Sequence, residues 1–489
     1  MATPRLRILH TDTELELQTA PVRRSLASGP FTLCAIVASD LLALACAAAA
    51  SVMFWYLVEG KLEPGDYLRL WPVLAVFLTA QFAAGLYPGI ALNPVEELRR
   101  ATASVSVVYA SLGSVNFLLH DTNLYSRAVF LLAWIQTLVL VPLMRSCMRW
   151  TLSHHPRWGY PVLVIGSAPD SDAVISLLQA HPDLGLKPVA ALENDSRPRQ
   201  HILGVPVCGG AEMAPMLARQ WGIRCAIVAL PALPRARLLD MLTRHGDIFS
   251  RLIVMPELEG MATLWVKATD LGGKLGLEVR QSLLLPAARF SKRAMDVLLT
   301  LAAGIFLAPL LLLIALVIKL TSPGPVLYGH VRYGRAGRPF TVWKFRSMVW
   351  KADEALRHHL SRDSGLAQEW RLTQKLRRDP RITPIGRLLR KTSLDEAPQL
   401  WNILLGEMSL VGPRPIVESE IGRYGDKYHI YKKMMPGLTG LWQVSGRSRT
   451  DYAQRVSLDM YYVSNWSIWL DVHILARTVK AVLFGEGAC

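Results

Sequence analysis

The chain has 489 residues, of which 51% are hydrophobic and only 19% are charged, which excludes a disordered chain and argues against a fully soluble enzyme. The 54 Lys and Arg residues outnumber the 38 Asp and Glu residues, and the formal net charge is +16. We therefore expect the chain to meet an anionic membrane surface, a phosphate-bearing substrate or a nucleic acid, and the length suggests about three domains.

Four apolar stretches lie in the first third of the chain, at residues 31–58, 68–87, 101–119 and 128–144. Each is near the length of a bilayer-spanning helix, so residues 1–150 are predicted to form a four-helix transmembrane bundle. Arginines precede the first stretch, lie between the second and third stretches, and follow the fourth stretch. Because basic residues are enriched on the cytoplasmic side of a membrane, both ends of the bundle are predicted to be cytoplasmic. Asp40 inside the first stretch is interpreted as a polar group satisfied between helices, with an acid in an intramembrane relay or lipid site as the alternative.

The middle third alternates short β-like runs with helical patterns, which predicts a Rossmann-like parallel α/β domain over residues 157–282. A dinucleotide fingerprint would need three glycines after the first strand. The turn there has one glycine, Gly166. The sequence therefore predicts a degenerate domain that has lost nucleotide binding.

A fifth apolar run covers residues 297–318 and carries Pro309 near its middle. A proline inside a helix removes a hydrogen bond and bends the axis. Basic residues flank the run on both sides, so charge gives no transmembrane asymmetry. We expect a re-entrant membrane helix over 295–320 that bends at Ala308 and Pro309 and returns to the same face, with a fifth spanning helix as the alternative.

The last third is where charge concentrates. Eight basic residues and one acid lie between Arg371 and Lys391, just before the adjacent acids Asp395 and Glu396. Two adjacent carboxylates point in different directions, so one can attack while its neighbour coordinates. Nearby guanidinium groups are expected to keep both ionised, and an ionised aspartate near a metal is a competent nucleophile toward phosphorus.

Several cations and polar donors accompany this acidic pair. Arginine forks and backbone amides suit a diphosphate, whose charge is spread over pairs of oxygens. The candidates for substrate and phosphate binding are Lys344, Arg346, Arg390, Arg414, Thr439, Gln443 and Arg447.

Ordered motifs over residues 288–489 resemble the monotopic phosphoglycosyl transferases, also called bacterial sugar transferases. The matching blocks are Lys292-Arg293 with Asp296, residues 322–326, Lys344-Phe345-Arg346-Ser347-Met348, Ser393-Leu394-Asp395-Glu396 with Pro398-Gln399, and Gly412-Pro413-Arg414-Pro415. The whole chain looks like the long form of that family, with four helices, a Rossmann-like domain and a mainly helical catalytic domain. Residues 85–100 are similar to the undecaprenyl-phosphate galactose phosphotransferases within that form.

The resemblance implies transfer of a sugar-1-phosphate from a UDP-sugar to undecaprenyl phosphate with release of UMP, as the first membrane step of O-antigen, exopolysaccharide or capsule assembly. Asp395 would be the nucleophile that carries the phosphosugar, and Glu396 would bind Mg²⁺. The re-entrant helix would hold the first isoprenes of the carrier at the cytoplasmic face of a bacterial inner membrane. Galactose is the expected sugar and glucose the alternative; a homodimer is one option for the oligomeric state. Relatives often have serine where this chain has Ala308, so this position offers no hydroxyl to stabilise the kink.

Rival interpretations come from other classes. A nucleotide-sugar dehydratase would explain the spacing of Tyr428 and Lys432, but the glycine fingerprint is missing. A membrane scaffold or regulator of polysaccharide assembly explains the helices but not the acidic pair among cations. Nucleic-acid binding explains the charge alone, and we expect none. The last apolar helix, residues 466–484, is equally compatible with an interfacial helix and a core helix.

Overall fold

The computed structural model describes residues 29–59, 71–118, 126–193, 199–229, 249–255, 266–270, 275–279, 286–362, 365, 368–370, 376, 379–446 and 451–483. The chain forms two compact units, Met1–Leu258 and Glu259–Cys489.

The first unit begins with four helices: α1 (Gly29–Glu59), α2 (Pro72–Ala83), α3 (Pro94–Leu118) and α4 (Arg127–Leu152). By length and composition, α1 over Gly29–Val58 and α4 could each cross a membrane. Helix α2 has 12 described residues, fewer than the roughly 20 that a spanning helix needs. The structure therefore supports a membrane protein with apolar helices at its N-terminal end.

A buried ion pair joins α1 to α4. Arg145 donates through Nε to Asp40 Oδ1 at 2.7 Å and through Nη2 to Asp40 Oδ2 at 2.5 Å. The same guanidinium donates to Glu97 Oε1 at 3.0 Å and to Gln81 Oε1 at 2.9 Å. A buried charge persists where it is paired and hydrogen-bonded. The interpretation of Asp40 as a polar group satisfied between helices is confirmed.

The α/β part of the first unit has a four-stranded sheet in the order β2-β1-β5-β6, and every adjacent pair is parallel. Its elements are β1 (Tyr160–Gly166), α5 (Ala168–Ala180), β2 (Leu186–Glu193), the short pair β3 (His201–Ile202) and β4 (Val205–Pro206), α6 (Ala214–Trp221), β5 (Cys225–Ala229) and β6 (Arg251–Val254). The central strands are buried on both faces because α5 and α6 contribute to separate hydrophobic clusters. The predicted parallel sheet is confirmed.

The carboxyl edge of this sheet carries an ion-pair network. Arg199 binds Glu193 at the end of β2 at 2.8 Å and Asp172 on α5 at 2.9 Å. In nucleotide-binding Rossmann domains an acid at this position holds the ribose. Here Glu193 is already bound by an arginine, and the loss of nucleotide binding stays a prediction.

The segment between α2 and α3 fastens the helices to the sheet. Ile90 is buried in the cluster that lines one face of the sheet. Arg149 on α4 donates to Gly89 O at 2.9 Å and to Asp183 O at 3.1 Å, and Gly159 N donates to Thr32 Oγ1 at 2.9 Å. Residues 85–90, which contribute to the family resemblance, therefore connect the apolar helices to the sheet inside the first unit.

The second unit begins with an antiparallel pair, β7 (Val266–Asp270) and β8 (Leu275–Val279), followed by the long helix α7 (Pro286–Thr321). Its remaining elements are β9 (Leu327–Tyr333), β10 (Pro339–Phe345), α8 (Ala352–Arg362), α9 (Pro384–Thr392), α10 (Gln399–Leu405), β11 (Ser409–Val411), α11 (Glu418–Tyr424), α12 (Tyr428–Tyr431), β12 (Gly437–Thr439), α13 (Leu441–Val444), α14 (Tyr452–Asn465) and α15 (Ile468–Leu483). Strands β9 and β10 form an antiparallel hairpin, and β11 pairs with β12 in parallel. The unit is mainly helical, as predicted.

Helix α7 is the third helix that could cross a membrane, and it extends over 36 residues with Pro309 inside it. Helical backbone continues on both sides of Ala308 and Pro309, so the proline does not divide the run into two separate helices. A proline inside a helix favours a bend of its axis, and the re-entrant course stays a prediction.

Buried charges anchor the N-terminal end of α7. Lys292 Nζ lies 2.8 Å from Asp471 Oδ2 and donates to Val411 O at 3.0 Å. Asp296 accepts from Ser409 Oγ at 2.7 Å and from the Leu410 backbone at 3.2 Å. Asp471 lies on α15, so one face of the last helix packs in the core of the second unit.

Candidate active site

The acidic pair lies in a tight turn between two helices. The Thr383 hydroxyl accepts from Gly386 N and caps α9, with Pro384 in the first turn. The helix ends at Thr392, and its C-cap residue Ser393 has a left-handed φ of 57°. A single turn of 3₁₀ helix, Leu394–Glu396, follows and leads into α10. Asp395 and Glu396 are therefore fixed as neighbours that leave the same turn in different directions.

Strand β10 brings a cation to this turn. Lys344 Nζ lies 2.5 Å from Glu396 Oε1. The lysine and glutamate side chains are 29% and 31% exposed, so this ion pair remains open to solvent. Asn402 on α10 fixes the strand: it accepts from Trp343 N at 3.1 Å and donates to Thr341 O at 2.7 Å.

The pKa of Asp395 departs from the expected direction. Burial raises it, and repulsion from Glu396 raises it further, while Lys344 and Arg390 act in the opposite sense. The cations lower this pKa as expected, but burial and the adjacent carboxylate outweigh them, and counting charges along the sequence takes no account of either.

Ser347 has two arginine neighbours: Arg346 precedes it in the chain, and Arg390 donates a hydrogen bond to its hydroxyl. Arg390 on α9 donates through Nε to Ser347 Oγ at 2.9 Å, and it acts electrostatically on Asp395. Arg346 is buried, donates through Nη2 to Ser322 O at 2.8 Å, and its pKa is lowered by burial. In the described part of the chain, Nε and Nη1 of Arg346 have no hydrogen-bond partner.

Arg414 belongs to a second group of cations and aromatic rings. Its guanidinium lies 5.4 Å from the centre of the Trp442 ring, and Arg455 lies 5.1 Å from the same ring. Arg414 also acts electrostatically on the buried carboxyl of Asp459. Over the described residues Arg414 forms no ion pair with Asp395 or Glu396.

The remaining candidates are dispersed. The hydroxyls of Thr439 and Thr478 are 2.8 Å apart, and Gln443 Nε2 donates to Leu438 O at 3.3 Å, so both candidates take part in local packing. Arg447 lies outside the described residues. The structure thus brings Lys344, Arg390, Asp395 and Glu396 together, with Arg346 linked through its neighbour Ser347.

Sequence reasoning left some residues of this region without a role. Ser347, which accepts a hydrogen bond from Arg390, belongs to the motif of residues 344–348. Its place in that motif is the sequence feature that could have identified it. Trp442, Arg455 and Asp459 gave no signal, because aromatic and charged residues at helical spacing are typical of ordinary packing.

The donor set can be compared with what Mg²⁺ requires. The described residues contain no group of three or more His, Cys, Asp or Glu side chains arranged for a metal ion. Magnesium commonly takes one or two carboxylates and completes its shell with substrate phosphates and water. The Glu396 carboxylate, which is 31% exposed, fits a magnesium ion of that kind.

Two family models match the chain. The model described as bacterial sugar transferase matches residues 287–485, and the model described as CoA-binding domain matches residues 83–256.

Curated relatives match across both units. An undecaprenyl-phosphate galactose phosphotransferase of Salmonella typhimurium is 37% identical, covering 74% of this chain and 76% of its own. A UDP-galactose-lipid carrier transferase of Erwinia amylovora is 36% identical with the same two coverages, 74% and 76%. A UDP-glucose:undecaprenyl-phosphate glucose-1-phosphate transferase of Escherichia coli is 30% identical over 77% of this chain and 79% of its own.

Proposed function

The chain belongs to the bacterial sugar transferase family, and from that premise we propose that it transfers a hexose-1-phosphate from a UDP-sugar to undecaprenyl phosphate in polysaccharide assembly. UMP is the other product. We propose galactose as the sugar, because the relatives named for galactose are 37% and 36% identical whereas the one named for glucose is 30% identical. Glucose is the alternative that the assay below tests directly.

The observation that carries the proposal is the open acidic turn, in which Lys344 binds Glu396 and leaves Asp395 beside it. In the first step, an oxygen of the Asp395 carboxylate attacks the sugar-bearing phosphorus of the donor. The bond from that phosphorus to the bridging oxygen breaks, and UMP leaves with the electron pair. The enzyme then holds a phosphosugar ester on Asp395.

In the second step, a phosphate oxygen of the polyprenyl carrier attacks the same phosphorus. The bond between phosphorus and the Asp395 oxygen breaks and the carboxylate is restored. Splitting the transfer in this way lets one site use two substrates in turn, which is ping-pong kinetics.

Cations near the turn provide the electrostatic part of catalysis. Phosphoryl transfer depends mainly on positioning and on neutralising charge at the phosphate oxygens. Lys344 and Arg390 are placed to do this at Asp395, with Arg346, Arg414, Thr439, Gln443 and Arg447 as further candidates for substrate contact. Glu396 would hold Mg²⁺, which when bound neutralises phosphate charge.

We place the reaction at the cytoplasmic face of a bacterial inner membrane. The proposal includes a multi-pass bundle in residues 1–150, a Rossmann-like domain in 157–282 and a catalytic domain in 288–489. Within it, residues 295–320 form a re-entrant helix that bends at Ala308 and Pro309. Self-association as a homodimer is an expectation to be measured by mass photometry in nanodiscs.

The test uses the purified full-length chain with magnesium and a panel of UDP-sugars, first without and then with polyprenyl phosphate. We expect a burst of about one UMP per enzyme from UDP-galactose alone, and mass spectrometry should find a hexose phosphate on the peptide that contains Asp395. Asp395→Asn should lower turnover by at least about 10³-fold, as removal of a nucleophile does. Asp426→Asn, the same change at an exposed aspartate of this unit, should retain activity.

Two results would overturn this assignment. Absence of UMP release with every donor would remove the enzymatic activity and favour a scaffold or regulator. Full turnover by Asp395→Asn would remove the covalent step. A larger burst with UDP-glucose than with UDP-galactose would assign glucose as the sugar and would leave the proposed reaction unchanged.

A further inference from the structure

Three arginines of the second unit form a cluster apart from the acidic turn. Arg332 lies on β9, Arg414 follows β11, and Arg455 lies on α14. Burial lowers the pKa of Arg332, and repulsion from Arg414 and Arg455 lowers it further, so both of these guanidinium groups lie within electrostatic range of Arg332. We call these three residues the arginine cluster.

The acids beside the arginine cluster offset its charge incompletely. Glu420 Oε1 lies 3.3 Å from Arg455 Nη1, and Glu420 Oε2 lies 3.9 Å from Arg332 Nη1. Asp459 is buried, and burial raises its pKa to about 7, so near neutral pH this carboxyl carries only part of a negative charge. The cluster therefore keeps a net positive charge, which favours an anionic ligand.

Arg414 is the member of the arginine cluster that can bind such a ligand. Its side chain is partly exposed, and over the described residues it forms no hydrogen bond and no salt bridge. Arg332 and Arg455, by contrast, both lie beside Glu420. A guanidinium group has five N–H donors and no acceptor, so Arg414 keeps its full donor capacity for an anion such as a phosphate.

The Trp442 ring holds this guanidinium in place. The ring is buried, and the Arg414 guanidinium lies 5.4 Å from its centre. Arg455 lies 5.1 Å from the same ring and 5.0 Å from the ring of Tyr452, and its Nη1 donates to Glu420. Cations are attracted to the faces of aromatic rings within about 6 Å. Trp442 therefore orients Arg414, and Arg455, which has two further contacts, restrains Trp442.

Unpartnered atoms around the Trp442 ring support a role in positioning. Trp442 Nε1 and both Nε and Nη2 of Arg455 are buried and have no hydrogen-bond partner among the described residues. A buried donor without a partner costs free energy, so its presence in a folded protein calls for a functional explanation. Because these atoms are buried, they do not contact a ligand themselves, and their residues act through Arg414.

The β9–β10 hairpin gives the distance between the arginine cluster and the acidic turn. Arg332 pairs with Phe340, and Tyr328, four residues earlier in β9, pairs with Lys344. Paired residues share a face and side chains alternate along each strand, so Arg332 and Lys344 lie on the same face of the hairpin, about 14 Å apart. A ligand that contacts both places is therefore elongated and anionic.

The first step of the proposed reaction needs a cation at such a place. In phosphoryl transfer the attacking and leaving oxygens lie roughly in line with the phosphorus. With Asp395 on one side of the sugar-bearing phosphorus, the phosphate of the departing UMP lies on the other side. Lys344 and Arg390 are placed at Asp395, so the charge on UMP requires a separate cation farther from the nucleophile.

We propose that Trp442 and Arg455 are positioning residues, which orient the Arg414 guanidinium toward the phosphate of the departing UMP. As the bond between the sugar-bearing phosphorus and the bridging oxygen breaks, the electron pair stays on UMP, and Arg414 neutralises its charge without moving a proton. The inference rests on the proposed function. It adds two residues that the sequence motifs leave without a role, and it states which phosphate Arg414 contacts.

Binding of labelled UMP to the full-length chain in nanodiscs tests this inference without turnover. The variants are Arg414→Gln, which removes the cation, Trp442→Leu, which removes the ring, Trp442→Phe, which keeps an aromatic face, and Arg455→Gln, which removes the restraint. Trp442→Leu and Arg455→Gln are also combined with Arg414→Gln, because a residue that acts through Arg414 has no further effect once Arg414 is replaced. Tyr428→Leu is the matched control, since Tyr428 is a partly buried ring of the same unit whose cation neighbour is Lys432.

We expect Arg414→Gln to raise the Kd for UMP by about 10²-fold and Trp442→Leu to raise it by about tenfold, with Trp442→Phe recovering part of the loss. Arg455→Gln should raise it by about threefold, because its effect on Arg414 is indirect. In the Arg414→Gln background, the further change for Trp442→Leu or Arg455→Gln should stay within about twofold. Tyr428→Leu should match the parent chain.

Unchanged UMP affinity in Trp442→Leu would overturn the inference. So would an equal loss with and without Arg414, which is the result expected of a tryptophan needed only for folding, or no measurable UMP binding by the parent chain. UMP binding with the expected pattern, in a chain that releases no UMP from any UDP-sugar, would uphold the positioning of Arg414 and reject the proposed function. Release of UMP together with additive losses would do the reverse.

Discussion

The ion pairs of the two units differ in how deeply they are buried and in how fully their carboxylate oxygens are hydrogen-bonded. In the first unit, the side chains of Arg145 and Asp40 are 2% and 0% exposed, and both oxygens of the carboxylate accept from the guanidinium. In the second unit, the side chains of Lys344 and Glu396 are about one-third exposed, so this pair stays accessible to another ligand. A closed pair holds helices together, whereas an open pair can still bind a substrate or a metal.

The second unit also contains a buried ion pair. Burial of an ion pair therefore depends on its role, structural or at the candidate site, and not on the unit in which it lies. Lys292 and Asp471 are buried, and Tyr462 and Trp466 donate to the two oxygens of the aspartate at 2.6 Å and 3.0 Å. That network fixes the N-terminal end of α7 to the strand β11 and to α15. The second unit thus combines a buried, fully hydrogen-bonded ion pair that fixes α7 with a partly exposed ion pair at the candidate active site.

Breaking the closed pair of the first unit should have the largest effect on stability. Arg145→Met leaves the Asp40 carboxylate buried without its cation, and loss of one member of a buried pair costs about 3–5 kcal/mol. Thermal unfolding in detergent, followed by protection of the first unit from proteolysis, measures the loss. The double variant Arg145→Met with Asp40→Asn should recover much of it because no unpaired charge remains. Wild-type stability in the single variant would show that the pair does not hold the helices.

Breaking the open pair should affect catalysis and spare stability. Lys344→Met should lower kcat/KM for UMP release by about 10²-fold, since it removes a cation placed to neutralise phosphate charge. Lys344→Arg should retain part of the activity. The melting temperature should stay close to the parent value, because a solvent-exposed ion pair contributes at most about 1 kcal/mol. A large fall in melting temperature with unchanged turnover would place Lys344 among the structural residues.

The acidic turn was predictable because Asp395 and Glu396 are adjacent in the sequence and stand among cations. The parallel sheet was predictable because alternating strand and helix patterns are local signals. Partners far apart in sequence gave no such signal: Lys292 and Asp471 are separated by 179 positions, so the last helix stayed ambiguous until their contact was known. The direction of the Asp395 pKa was missed for a related reason, since burial depends on the whole fold.

Asp459 offers a third kind of buried carboxylate, and the smallest expected effect. Unlike Asp40 it has no salt bridge among the described residues; Tyr424 donates to its Oδ2 at 2.7 Å, and Oδ1 has no partner there. Burial raises its pKa to about 7 from 3.8. The titratable groups that act on it or are acted on by it are Arg414, Tyr424, Tyr431, Tyr452 and Arg455.

The sign of the Asp459 effect follows from proton uptake. Because the folded state keeps the proton to higher pH than the unfolded state, the contribution to stability is complete below about pH 4 and declines until about pH 7. Between pH 5.5 and pH 8 the parent enzyme should lose at most about 2 kcal/mol from this group. Asp459→Asn should lose less over the same interval, while Asp426→Asn should follow the parent. Parallel melting curves for the parent and Asp459→Asn across that interval would show that Asp459 is ionised throughout. Asp459 would then need a charge partner, as Asp40 does, and Arg455 or Arg414 would have to supply it.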